Sequence, residues 1–188
     1  ETIHYSSGQT LFSNTGYIQI PSFASFYYEE NFLFADSLQQ LIKSLDLSNL
    51  RGWIIDLRRN QGGNNAPMIS GIGPLLDDKN TYSYVDSKGQ PVSEYRYTEG
   101  GYETKGSAEV DTLIYFAKTN YKVRKPELPI AILLNNQTAS AAEAVTAAFI
   151  GQSNVKTFGR PTAGLTTSNE PIFLSNGAMI NITTSYLA

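Results

Sequence analysis

One serine stands where acyl-transfer chemistry needs a hydroxyl. The stretch Asn135-Asn136-Gln137-Thr138-Ala139-Ser140-Ala141-Ala142-Glu143 follows an apolar run of buried-strand type, Leu128 to Leu134. It opens an Ala-rich apolar segment that reaches about Ile150. Ser140 therefore falls at a strand-to-helix junction. The first N–H groups of a helix lack partners within it, and the dipole favours negative charge there. A nucleophilic hydroxyl at that point has N–H donors beside it that can face a developing oxyanion. The same letters allow a plainer reading. Ser140-x-x-Glu143 fits a capping box, in which the two side chains satisfy the first N–H groups of the helix. Caps are far commoner than nucleophiles, so the surroundings of Ser140 must decide.

Several elements are available to position such a site. Gly16 to Phe23 alternates and reads as a strand. Phe34, Leu38, Leu41, Ile42 and Leu45 recur at helical spacing and predict an amphipathic helix from about Asn31 to Leu45. Gly52-Trp53-Ile54-Ile55-Asp56-Leu57 is a short apolar strand of buried type. The turn Asn60-Gln61-Gly62-Gly63-Asn64-Asn65 follows, and Pro67 marks the first turn of another helix. Residues 81–104, with Tyr82, Tyr84, Tyr95 and Tyr97 around a turn at Ser87-Lys88-Gly89, predict an exposed Tyr-rich hairpin. That hairpin serves either as a cap over a binding groove or as a plain surface element. Ala108 to Asn120 reads as a helix or irregular segment. Val155 to Phe158 and a last hairpin, with strands near Ile172 to Leu174 and Met179 to Thr183, complete the pass.

Strands alternating with helices predict an α/β core with a mainly parallel sheet flanked by helices. In such folds the loops at the carboxyl ends of the strands build the site. The loops after Leu57 and after Leu134 are both of that kind, so Gly62, Gly63 and Ser140 are expected to converge.

The 188 residues suit one domain, 1–188, with a sizeable core. Hydrophobic content of 41% and charged content of 16% are those of a folded globular chain. Twelve Tyr and nine Phe suit strands and a surface that binds polypeptide. A net charge of −3 gives no basic footprint, so nucleic acid is not the expected partner. Without cysteine there is no disulfide and no thiolate nucleophile or ligand. No His/Asp/Glu cluster has metal-ligand spacing, and the turn at Gly62-Gly63 lacks the Gly-Lys-Ser/Thr of a phosphate loop. No metal, nucleotide or other cofactor is therefore expected. The chain begins at Glu1 without Met and ends within a strand-like run. It reads as a fragment of a longer parent or a trimmed mature form.

Ile55-Asp56-Leu57-Arg58-Arg59-Asn60-Gln61-Gly62-Gly63-Asn64, then Thr138-Ala139-Ser140-Ala141-Ala142-Glu143, then Phe158-Gly159-Arg160-Pro161-Thr162-Ala163-Gly164 resemble three blocks of the S41 peptidases, the tail-specific or C-terminal processing proteases. The blocks come in the family's order and approximate spacing over most of the chain. The resemblance implies a ClpP/crotonase-like core, a Ser140 nucleophile, and an oxyanion hole made by the N–H of Ala141 with a second donor from Gly62 or Gly63. Glycine suits that second place, because a backbone N–H must approach the substrate closely. The processing proteases use a lysine directly after the glycine of the third block. Here that position is Leu165, and Lys156 lies outside the pattern. Two branches, the tricorn-like and nisin resistance types, use a histidine near the start of the core instead, and the Pro67-Met68-Ile69 region looks closest to the nisin resistance type. The single histidine, His4, lies at that end, so the resemblance makes it the general base. Imidazole suits the transfer of a serine proton near neutral pH. Glu143 is expected to cap the helix or hold a neighbouring group. Asp56 and Arg58 are expected to form an ion pair or to stabilise a turn rather than to take part in catalysis.

The implied activity is serine endopeptidase cleavage of an extended peptide or protein, near its C-terminus or within a lantibiotic such as nisin. The implied location is extracytoplasmic, on a membrane-anchored parent. Leu165 at the lysine position motivates an alternative, a non-catalytic peptide-binding module on the same fold. A crotonase-type enzyme acting on acyl-CoA, which needs oxyanion donors but no serine nucleophile, is a third reading.

Overall fold

The apolar runs of the sequence become a five-stranded, mainly parallel sheet in the computed structural model, which describes residues 3–77, 81–98, 101–106, 112–115, 117–118 and 120–188. Strand β1 (Ser7–Leu11) pairs antiparallel with β2 (Thr15–Gln19). From there β3 (Gly52–Asp56), β8 (Ile130–Leu134) and β9 (Val155–Gly159) add in parallel, in the order β1-β2-β3-β8-β9. Register explains the burial. Ile18, Ile55 and Ile132 stand side by side across three strands and are fully buried. Their neighbours Tyr17, Ile54 and Ala131, one residue earlier and so on the opposite face, are only half-buried.

The buried face carries the core. Helix α1 (Tyr28–Leu45) presents Phe34, Leu38 and Ile42 to it, each fully buried. Burial of each such side chain contributes roughly 2 kcal/mol. Glu29 and Glu30 sit in the first turn of α1 and Lys43 in the last, both matching the helix dipole. The helix begins earlier than its apolar periodicity because the first turn is polar and aromatic and shows no repeat. Helix α2 (Asn65–Ile72), continued by a 3-10 turn at Gly73–Leu75, packs between α1 and α3 (Ala141–Phe149). Met68, Ile69, Val145 and Phe149 are fully buried in that layer.

The second sheet is antiparallel and larger than the expected hairpin. Strands β4 (Thr81–Val85), β5 (Pro91–Thr98), β6 (Gly101–Gly106) and β7 (Thr112–Tyr115) form a meander. The hairpin of β10 (Thr167–Phe173) and β11 (Met179–Leu187) joins it through Tyr186↔Val85 and Leu187↔Tyr84, giving the order β10-β11-β4-β5-β6-β7. Residues 112–115 are thus a strand and not a helix; much of the remainder of the segment 108–120 lies outside the described residues. The tyrosines also differ from expectation. Tyr82 and Tyr84 are 3% and 7% exposed. With Tyr95 they form a cluster, stacked at 5.4 Å between Tyr82 and Tyr95 and edge-on at 5.6 Å between Tyr84 and Tyr95. Asn65 of α2 donates to the Tyr82 hydroxyl at 3.1 Å. The alternation that reads as a solvated hairpin turns one row of aromatic faces inward, where the helices supply apolar cover and a polar partner for a phenol.

Candidate active site

Three loops meet at the carboxyl ends of β3, β8 and β9. The first leaves β3 and is held by Asn60, which is fully buried. Its side-chain oxygen accepts the Gly62 N–H at 2.9 Å, and its main-chain carbonyl accepts the Ala139 N–H at 3.1 Å. Gly62 and Gly63 adopt φ of +106° and +120°, the region that favours glycine. The turn is docked on the segment after β2: Phe23 N–H donates to the Gly62 carbonyl at 3.2 Å, and Asn64 N–H donates to the Phe23 carbonyl at 2.7 Å. A Cβ at Gly63 would collide with the Phe23 carbonyl, and one at Gly62 would lie 2.6 Å from the Ser140 Cβ.

The second loop carries Ser140. Thr138 is fully buried; its hydroxyl donates to the Leu57 carbonyl at 3.0 Å and accepts the Asn135 N–H at 3.1 Å, tying this loop to the end of β3. Ser140 itself has φ +54° and ψ −117°. A cap residue ordinarily has β-region angles. A non-glycine residue at this φ is strained, and such strain gathers at functional sites. Only the glutamate half of the capping box is made in full. Ser140 N–H donates to Glu143 Oε2 at 2.7 Å. The Ser140 hydroxyl lies near enough to the Glu143 amide to complete the box in outline. That N–H, however, is taken by the Ser140 carbonyl at 2.8 Å, and the hydroxyl makes no cap hydrogen bond. The Ala141 N–H and the Gly63 N–H have no hydrogen-bond partner among the described residues, while the Gly62 N–H is committed to Asn60.

The third loop leaves β9 and returns to the second. Ala163 N–H donates to the Thr138 carbonyl at 2.9 Å. Glu143, buried, collects the rest. Its Oε1 accepts the Thr162 hydroxyl at 2.6 Å and the Gly164 N–H at 2.9 Å, and its Oε2 accepts the Leu165 N–H at 2.9 Å as well as Ser140. One carboxylate therefore joins the serine elbow to the third loop. Leu165 points mainly to solvent, at 59% exposure.

His4 reaches the same end of the sheet by topology. Because β1 runs antiparallel to β2, with Ser7 opposite Gln19, the residues before Ser7 lie beyond the carboxyl end of β2. His4 is exposed there and shares a cleft of about 780 Å³ with Ser22, Phe23, Glu30, Gly62 and Asn64. No hydrogen bond joins His4 to Ser140, and Ser140 is not among the residues that line the cleft holding His4.

Asp56 and Arg58 form the ion pair expected of them. Arg58 Nη2 and Nε donate to the two Asp56 oxygens at 2.7 and 3.0 Å, and the Tyr17 hydroxyl donates to Oδ2 at 2.7 Å. Burial pushes the Asp56 carboxyl up, but the bonds from Arg58 and Tyr17 outweigh it and hold the group below its ordinary value of 3.8. The Tyr17 phenol is raised, by burial first and by Asp56 second. This network braces β2 against β3 beneath the site.

Asn60 and Thr138 were not legible as positioning residues. An Asn two places before a glycine is an Asx-turn signal, and Asn60 carries it. That its other oxygen meets Ala139, 79 residues onward, depends on the sheet order alone.

The model of peptidase family S41 matches residues 14–188. The chain belongs to peptidase family S41. It is 35% identical over 157 residues to the nisin-resistance protein of Lactococcus lactis subsp. lactis, an alignment covering 81% of this chain and 45% of that protein. It is 31% identical over 173 residues to the carboxy-terminal processing protease CtpA of Bacillus subtilis (strain 168), covering 91% of this chain and 30% of that protein. The chain thus spans less than half the length of these relatives. Among solved structures, a lipoprotein from Streptococcus agalactiae superposes with a TM-score of 0.76 at 28% identity, covering 99% of this chain and 60% of the other. The photosystem II D1 C-terminal processing protease superposes over all of this chain and 44% of its own, with a TM-score of 0.65 at 21% identity, a likeness of fold. The mixed α/β architecture is that of the family, and the family supports a protease role.

Proposed function

We propose that this S41 domain is a serine endopeptidase in which Ser140 is the nucleophile and His4 the general base. The observation that carries the reading is the Ser140 elbow. Its backbone is held at positive φ against Gly62, and Glu143 does the capping, so the hydroxyl is left for chemistry. In the reaction, His4 accepts the Ser140 proton as Oγ attacks a peptide carbonyl. The N–H groups of Ala141 and Gly63 stabilise the tetrahedral oxyanion, on the order of 3 kcal/mol per donor. His4 then gives its proton to the leaving amine, and water resolves the acyl-enzyme. The substrate is an extended peptide, cut near its C-terminus or, by likeness to the nisin-resistance protein, within a lantibiotic. A cell-surface setting on a membrane-anchored parent belongs to the same proposal and draws on the likeness to a lipoprotein. Among the described residues no helix is long and apolar enough to cross a membrane.

A fluorophosphonate probe tests the mechanism. Labelling of the folded chain that is lost in Ser140→Ala and strongly slowed in His4→Ala is the expected result; labelling indifferent to His4 overturns the dyad. The exposure of His4 and of Leu165 favours one other reading, a peptide-binding module without catalysis. Binding of nisin or another extended peptide with no labelling of Ser140 would select it.

A further inference from the structure

We infer that the cleft beside Gly62 is a subsite for a cationic side chain, lysine or arginine, close to the bond that is cut, and that Glu30 recognises it. The inference rests on the peptidase reading above and deepens it by naming the substrate class. The cleft is lined by His4, Phe26, Tyr27, Glu30 and Gly62 among others. Gly62 ties it to the chemistry, since its backbone lies against the Ser140 Cβ. A peptide with its carbonyl at Ser140 therefore places a neighbouring side chain in this cleft.

The lining sets what that side chain is. Phe26 and Tyr27 are 87% and 68% exposed, and both open onto the cleft. Glu30 lies half-buried beside them and accepts a hydrogen bond from the Ser25 hydroxyl. No basic side chain pairs with Glu30 among the described residues. An aliphatic side chain would cover the rings and leave the carboxylate without a counter-charge. An acidic one would be repelled. A lysine or arginine does both jobs at once, laying its stem and charge against the aromatic faces and meeting the carboxylate at its end.

The test uses neutral, extended peptides that differ at one place, carrying lysine, norleucine or glutamate in turn at each position flanking the cut bond. The quantity read is the ratio of kcat/KM for lysine over norleucine, which differ in charge and little in shape. At one position the wild-type chain is expected to favour lysine about tenfold at low salt, less as salt rises. Glu30→Gln should bring that ratio near one, Glu30→Lys should turn the preference toward glutamate, and Phe26→Leu should lower the ratio without disturbing the fold. Equal cleavage of lysine and norleucine peptides at every position, with labelling of Ser140 intact, overturns the subsite and leaves the peptidase reading standing. Binding of the same peptides to Ser140→Ala supplies the second measurement. A lysine preference in binding with no cleavage by the wild-type chain keeps the subsite and removes the peptidase reading. No preference in either measurement removes the subsite.

Discussion

Replacing Glu143 with glutamine isolates the carboxylate that holds two loops together. The substitution keeps the shape and exchanges one acceptor oxygen for an NH2 group. Four donors face the carboxylate: the Ser140, Gly164 and Leu165 N–H groups and the Thr162 hydroxyl. If the NH2 takes the place of Oε2, it meets two backbone N–H groups and both lose their acceptor. If it takes the place of Oε1, the Thr162 hydroxyl can rotate to accept from it and only the Gly164 N–H is orphaned. The second arrangement wins. One buried orphan costs about 1–3 kcal/mol, and the surviving bonds lose the strength a charged acceptor lends them, about 1 kcal/mol each. Relief from burying a charge offsets part of this. The expected loss is therefore about 2–4 kcal/mol, read as a shift of the urea midpoint at unchanged slope. The Ser140 elbow loses its anchor in the same step, so fluorophosphonate labelling should slow by more than tenfold under conditions where the variant is still folded. A loss below about 1 kcal/mol, or unchanged labelling, would show that the elbow is held by Asn60 and Thr138 alone.

Three further outcomes follow from the same geometry. Ser140→Gly should raise stability by about 0.5–2 kcal/mol while abolishing labelling, because glycine accepts φ +54° without strain; Ser140→Ala keeps the Cβ and should show no such gain in a urea titration. Gly62→Ala sets a Cβ 2.6 Å from that of Ser140 at φ +106°, so it should cost more than about 2 kcal/mol and suppress labelling, whereas a mild effect in both would mean that the two loops are not in contact. Asp56 has its folded value held below 3.8, so its ion pair contributes stability that is present above about pH 3.8 and disappears as pH falls through the lower folded value. The stability gap between wild type and Asp56→Asn should accordingly narrow below pH 4, and a gap that stays constant from pH 6 to pH 2 would contradict the coupling.

The local chemistry of this protein could be read from its letters. The β3 and β8 runs, the α1 periodicity and the glycine-bearing turns all follow from residue-by-residue preferences, and so does the position of Ser140 at the head of a helix. The Asp56–Arg58 pair was legible because its partners are two residues apart. What the letters left open were relations between distant segments. The sequence allowed both a cap and a nucleophile at Ser140; the positive φ and the Glu143 amide bonded to the Ser140 carbonyl, on which the proposed nucleophile rests, arise where three loops compete for the same space. The Tyr82, Tyr84 and Tyr95 rows read as solvent-facing, since alternation tells that a strand has two faces and not which one the helices will cover. His4 gave no local sign of where it would lie. Only the antiparallel turn of β1 onto β2 carries it to the end of the sheet that holds Gly62 and Ser140, because strand order and direction are set by long-range pairing, which no short stretch of sequence encodes.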